Sequence, residues 1–222
     1  MRGEGGSPEY GVDDEERLWQ VVGDHPFGTI VSAADGEAPL ATLVPYLVQD
    51  AEGGRPRLWG HMGRANPQWR SFRADREVLN IFRGPDAYVS PSWYVNRPYV
   101  PTWNFVHVHV YGRPRLLGAG DDAAVRWLLE QTVDVYEAKL ERPWRLDVPE
   151  AYLKSLMDRV ATFEIEVTRM EGQFKLSQDK PEADRRALIA RLAEMDAGGG
   201  RAVADLMERE LEREAGAKAG RL

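Results

Sequence analysis

Asn104-Phe105-Val106-His107-Val108-His109-Val110-Tyr111 alternates without a break, with valines 106, 108 and 110 on one face and Phe105, His107, His109 and Tyr111 on the other. A period of two marks a strand with one face buried, so this stretch is read as a β-strand whose valines meet a core. His107 and His109 stand about 6.6 Å apart at the normal strand rise, compatible with two ligands on one metal. The plainer reading, a polar or interfacial strand face, fits a chain with four histidines, no cysteine and no third ligand evident nearby.

Upstream of this strand the pattern stays β-rich. Phe27–Ser32 and Leu40–Val48 flank turn chemistry at Asp35-Gly36 and read as a hairpin. Pro56–Met62 follows Gly53-Gly54 as a third strand and runs into Asn66-Pro67, where Asn66 suits the cap of a short helix. Glu77–Arg83 and Ala87–Ser90 read as two strands separated by a turn at Gly84-Pro85-Asp86. Prolines 91, 98 and 101 then mark an irregular crossover. A short helix opening at Asp13, with Glu16 three residues on, precedes them all.

Downstream, Val125, Leu128, Leu129, Thr132, Val133 and Tyr136 recur at helical spacing, so Asp121–Leu140 is read as a helix covering a sheet face. A second helix over Pro149–Val160 leads to a strand at Ala161–Met170 and a hairpin-like segment at Gly172–Gln178. Charged helical stretches at Pro181–Met195 and Arg201–Glu214 flank Gly198-Gly199-Gly200, a hinge or a stop. Short strands with turn signals, followed by helices, indicate a mainly β, α+β fold: a small antiparallel barrel with peripheral and C-terminal helices. The expected organisation is a flexible arm at 1–12, a barrel domain at 13–180 and a helical extension at 181–222 packed on it.

Composition narrows the function. The 222 residues carry 29 basic and 36 acidic side chains, a net −7. That balance opposes duplex-DNA phosphates, and no basic recognition helix is visible. The absence of cysteine removes disulfides, thiolate metal sites and thiol nucleophiles, and fits a reducing compartment. No apolar run reaches the ~20 residues of a membrane span, so a cytoplasmic protein without a membrane partner is expected. Neither a G-x-G-x-x-G nor a Walker sequence occurs.

The residues that stand out lie on loops. His61, Arg64 and Asn66 bracket a strand end and a helix start, where free N–H groups suit an anion; equally, Asn66 is a plain cap and Arg64 a solvated charge. Ser92-Trp93-Tyr94 and Thr102-Trp103-Asn104 offer rings and directional polar groups for a flat heteroaromatic ligand, or form a proline-stiffened apolar plug. By alternation, Lys175, Ser177 and Gln178 share a strand face suited to a phosphate.

Taken together, His61-Met62-Gly63-Arg64-Ala65-Asn66-Pro67-Gln68-Trp69, Gly84–Tyr94, Val100–Phe105 and Phe174–Gln178 resemble the PaiB-type family of FMN-binding negative transcriptional regulators, in order from about Val12 to Met207. The resemblance implies a split antiparallel β-barrel of the FMN-binding type and a homodimer with FMN near its interface. His61, Arg64, Asn66, Ser92, Trp93, Tyr94, Thr102, Trp103, Asn104, Lys175, Ser177 and Gln178 are the candidate cofactor residues. Regulation would proceed with little direct DNA contact. The same family includes haem-dependent piperazate synthases, N–N bond-forming enzymes with a histidine axial ligand in the block matched by Gly60-His61-Met62. The alternative is therefore haem b with His61 as its metal ligand. A cofactor-free interaction protein is the third reading.

Overall fold

The computed structural model describes residues 8–33, 36, 38–49, 56–118, 121–195 and 198–219. Most of the expected N-terminal arm, Asp35 of the hairpin turn and Gly53-Gly54 lie outside these residues. The chain runs β1 (Gly11–Val12), α1 (Glu15–Asp24), β2 (Phe27–Ser32), β3 (Leu40–Gln49), β4 (Arg57–Gly63), β5 (Val78–Val89), β6 (Thr102–Leu116), α2 (Asp122–Glu137), α3 (Glu150–Met157), β7 (Val160–Lys175), α4 (Glu182–Ala193) and α5 (Gly200–Ala219). Short 3-10 turns occupy Pro8–Tyr10, Pro67–Ser71 and Pro91–Trp93.

The sheet order is β1-β7-β4-β3-β2-β5-β6, and β6 pairs again with β7, so six antiparallel strands close into the ring of a barrel. Phe27↔Pro45 through Ser32↔Leu40 set the register of the expected hairpin. The alternation in β6 does what its sequence requires: Val106, Val108 and Val110 are buried, and Phe105, His107, His109 and Tyr111 are half-buried.

One expected turn, and the start of the expected hairpin-like segment, are instead strand. β5 passes through Gly84-Pro85-Asp86 without a break. Gly84 serves close packing there, since a Cβ would stand 3.2 Å from Val106. Likewise β7 continues through Gly172, where a Cβ would collide with Leu18 Cδ2, so this glycine makes room for α1. At the start of α1, Asp14 rather than Asp13 accepts an N–H, that of Arg17 at 3.3 Å. Gly198 and Gly199 adopt positive φ of 77° and 74°, a left-handed connection into α5 that a side chain would strain.

The chain divides into two compact units, and β5, β6 and β7 each run from one into the other. One unit comprises Val22–Phe82 and His109–Met170. Tyr46, Leu58, Ile30, Phe82, Phe163 and Ile165 form its buried centre, with Phe72 edge-on to Phe163 at 5.1 Å. Tyr46 donates to Asn80 Oδ1 at 2.6 Å and Asn80 Nδ2 to the Val110 carbonyl at 3.0 Å, so neither buried polar group is orphaned. Leu47, Trp59 and Leu117 receive Val125 and Leu128 of α2, which covers a sheet face as its spacing predicts.

The other unit comprises Met1–Val21, Arg83–Val108 and Glu171–Leu222. Its buried residues include Leu18, Val89, Val106, Phe174 and Leu176, together with Leu188, Leu192, Val203 and Met207 of the α4–α5 pair.

Candidate functional site

In the unit containing α4 and α5, the chain brings together two of the candidate blocks, one opening β6 and one closing β7. Lys175 Nζ donates to Thr102 Oγ1 at 2.7 Å and lies 5.6 Å over the Tyr10 ring. Two residues on, the hydroxyl of Ser177 donates to Asn104 Oδ1 at 3.0 Å, and Asn104 Nδ2 reaches Met207 Sδ at 3.4 Å. Asn104 and Ser177 are buried, so their pairing answers polar atoms that would otherwise be costly. The expectation that Lys175, Ser177 and Gln178 share one strand face is corrected. β7 ends at Lys175, and Ser177 takes a left-handed φ of 59°. Gln178 then clamps the turn, accepting from the Leu176 N–H at 2.8 Å and donating to the Phe174 carbonyl at 2.6 Å.

The aromatic block of this unit divides by exposure. Tyr94 is buried and its ring lies 4.4 Å from that of Tyr99, whereas Trp103 is 53% exposed and meets Tyr88 edge-on. Burial pushes the Tyr94 phenol up, with the Ser177 hydroxyl and the Lys180 ammonium acting against it. Ser90 caps the turn at Pro91–Trp93 through the Ser92 N–H at 3.3 Å, and the Ser90 and Ser92 hydroxyls share a 2.8 Å bond. Trp93 is half-buried.

The crossover 95–99 is held by a residue that sequence reasoning missed. Asp184 is fully buried and its Oδ1 accepts the N–H groups of Val95 and Asn96 at 2.8 and 2.9 Å. Its Oδ2 accepts Asn96 Nδ2 and the Tyr99 hydroxyl at 3.0 and 3.1 Å. Burial works against the charge, yet the Asn96, Tyr99 and Val95 bonds outweigh it and hold the carboxyl below the usual range. An acidic residue in a first helical turn reads as ordinary dipole chemistry, so the sequence carried no signal for this role.

In the barrel unit, His61 stands half-buried on β4, its Nδ1 buried without a hydrogen-bond partner among the described residues. Burial lowers its pKa, so the neutral imidazole with a free lone pair is the favoured form. Arg64 Nε and Nη2 donate to the Asp158 and Val160 carbonyls at 3.2 and 3.0 Å, and the guanidinium lies 5.5 Å over the Trp69 ring. Asn66 accepts the Gln68 N–H at 2.9 Å and donates to Thr42 Oγ1 at 2.8 Å. The turn it caps is five residues of 3-10 helix, Pro67–Ser71, too short to present the N–H array of a longer helix. Arg64 and Trp69 also line a cleft of about 710 Å³ with Arg126 and Lys154.

The ring of His107 stacks on Phe105 at 5.5 Å, and that of His109 meets Tyr111 edge-on at 6.4 Å. Among the described residues no group of three or more potential metal-ligating side chains converges. A half-buried ammonium bonded to a hydroxyl, as at Lys175, has further N–H donors to offer an oxyanion such as a phosphate. A neutral imidazole whose Nδ1 meets no partner among the described residues, as at His61, suits a hydrogen bond or a metal bond.

Comparison with known proteins adds to this geometry. A family model described as "Putative FMN-binding domain" matches residues 7–169. The chain is 34% identical over 209 residues to the protease synthase and sporulation protein PAI 2 of Bacillus subtilis, covering 93% of this chain and 98% of that one. Its fold resembles that of an FAD and haem binding protein from Mycobacterium smegmatis, with TM-score 0.56, 14% identity and coverage of 82% of this chain and 80% of that one. A conserved hypothetical protein from Mycobacterium tuberculosis gives TM-score 0.55 at 15% identity, with 80% and 94% covered. At these identities the two structural likenesses speak for the fold alone.

Proposed function

The chain belongs to the FMN-binding domain family, and from that premise we propose that it binds FMN and acts as a negative transcriptional regulator making little direct contact with DNA. The observation that carries the flavin reading is the Lys175–Thr102 pair, a half-buried ammonium bonded to a hydroxyl at 2.7 Å. Such a pair suits the FMN phosphate, whereas riboflavin offers only a neutral hydroxyl in its place. When bound, the flavin would supply redox chemistry of its own; the chain's residues bind and orient it. The regulatory part rests on the PAI 2 relative, and the net charge of −7 supports a role with few phosphate contacts. Titration with FMN and riboflavin tests the reading. Lys175→Ala should weaken FMN by about 1.5–3 kcal/mol and leave riboflavin unchanged. Equal effects on both flavins would remove the phosphate from Lys175.

A second reading is favoured by His61 alone. A half-buried imidazole held neutral by burial, its Nδ1 meeting no partner among the described residues, has the chemistry of an axial haem ligand. Haem added to the protein would then give a Soret band that His61→Ala abolishes while circular dichroism stays unchanged. A Soret band that survives the substitution excludes His61 as the ligand.

A second copy of the chain is the proposed partner. The barrel unit exposes Phe27 at 60% and Leu43 at 59% on the outward face of the β2–β3 hairpin, an apolar surface that a two-fold contact would cover.

A further inference from the structure

The strand that carries Lys175 also holds the chain that faces it. Thr102 Oγ1 accepts the Lys175 ammonium at 2.7 Å, and the ring of Tyr10 faces the same Nζ, 5.6 Å from its centroid and within reach of a cation–π contact. Tyr10 ends the turn Pro8–Tyr10 and is followed directly by β1, whose two residues pair with β7: Gly11 with Gln173 and Val12 with Gly172. Both partners lie within three residues of Lys175.

Two ladder pairs are a light hold, and an edge strand of two residues opens locally at low cost. The chain that follows is fixed more firmly. In α1, Leu18 fills the space that Gly172 leaves free, and the Arg17 guanidinium lies 4.8 Å over the Phe174 ring while Nη2 donates to Glu210 at 2.6 Å. Pro8–Val12 is thus a short strap running out from an anchored helix, and Tyr10 is the one buried residue in it. Burial, with a bond to Glu9, pushes the Tyr10 phenol up to about 12, so the ring stays neutral at any working pH.

We propose that Tyr10 is a positioning residue of the Lys175 site, a wall that holds the ammonium toward a phosphate, and that a phosphate bound there holds the Pro8–Val12 strap closed. The proposal rests on the FMN reading above and deepens it. An ammonium has three N–H donors; Thr102 takes one, and the Tyr10 ring covers a further side without supplying the negative charge that a carboxylate would. The ring also keeps water from that side, and a charged contact strengthens where water is excluded. Linkage makes the two effects one: if closure of the strap tightens phosphate, phosphate must stabilise the closed strap by the same factor.

The experiment pairs flavin titration with hydrogen-exchange mass spectrometry on the full-length chain. Tyr10→Ala should weaken FMN several-fold and leave riboflavin unchanged, and Tyr10→Phe, which keeps the ring, should bind FMN as the unsubstituted chain does. FMN should slow amide exchange over Pro8–Val12 several-fold more than riboflavin does, a comparison that needs no substitution and decides the matter even where Tyr10→Ala fails to fold. Unchanged FMN affinity in Tyr10→Ala, an equal loss for both flavins, a Tyr10→Phe as weak as Tyr10→Ala, or equal protection of the strap by both flavins would overturn the role of Tyr10. Lys175→Ala separates this failure from that of the FMN reading. If it weakens FMN while Tyr10→Ala does not, the wall alone falls; if it binds FMN unchanged, the phosphate is not at Lys175 and both fall together.

Discussion

At His61, burial and chemistry pull in one direction. The pKa lies below the ordinary 6.5 because the charged imidazole is poorly solvated. As pH falls the unfolded chain takes up this proton first, so the stability contributed by neutral His61 is full above about 6.5 and is lost below it, toward the folded pKa. His61→Gln should therefore flatten the decline of the urea midpoint between about pH 7 and about pH 5.5. An unaltered slope would mean that other groups carry the acid sensitivity. Glu164 gives a second test. Its Oε1 accepts Arg57 Nη1 at 3.0 Å and Arg115 Nε at 2.7 Å, and its side chain is only 8% exposed while both arginines are about half exposed. Solvent screens the arginines but not the carboxylate, so Glu164→Gln should cost about 1–2 kcal/mol in urea unfolding, below the cost of severing a wholly buried pair.

At the scale of elements, the strands were legible because their alternation is strong, whereas the glycines misled. Gly84 and Gly172 carry the composition of turns, but each lies inside a strand because a neighbouring side chain occupies the space of its Cβ. No local pattern distinguishes a glycine that turns the chain from one that admits a neighbour. Gly112 in β6 is the extreme case, where a Cβ would lie 2.5 Å from the Glu166 carbonyl oxygen of β7. Backbone cannot yield as a side-chain tip can, so Gly112→Ala should destabilise by roughly 1–3 kcal/mol in a denaturant titration. The Asp184 anchor belongs to this scale too. A carboxylate with a depressed pKa keeps its bonds above the ordinary 3.8 and loses them as pH falls through its folded value. Asp184→Asn should speed amide exchange at Val95 and Asn96, which hydrogen-exchange mass spectrometry reads; unchanged protection would show that the crossover is held by its prolines instead.

At the scale of the whole molecule, the family was legible from four blocks of sequence, but the pairing within them was not. Thr102 with Lys175 and Asn104 with Ser177 lie 73 residues apart in sequence, and only the folded chain sets these pairs. The proposed regulator should fail to shift duplex DNA alone at physiological salt, given its net −7, and tight, salt-dependent binding in a gel-shift titration would restore direct repression. Sedimentation should show a dimer, and a lone 25.1 kDa species at micromolar concentration would remove the second copy. Most direct of all is the visible absorption spectrum of the purified chain after incubation with FMN and gel filtration. The account predicts a retained flavin double band near stoichiometric amounts; a chain that emerges colourless, or takes up haem with a Soret band while retaining no flavin, would contradict it.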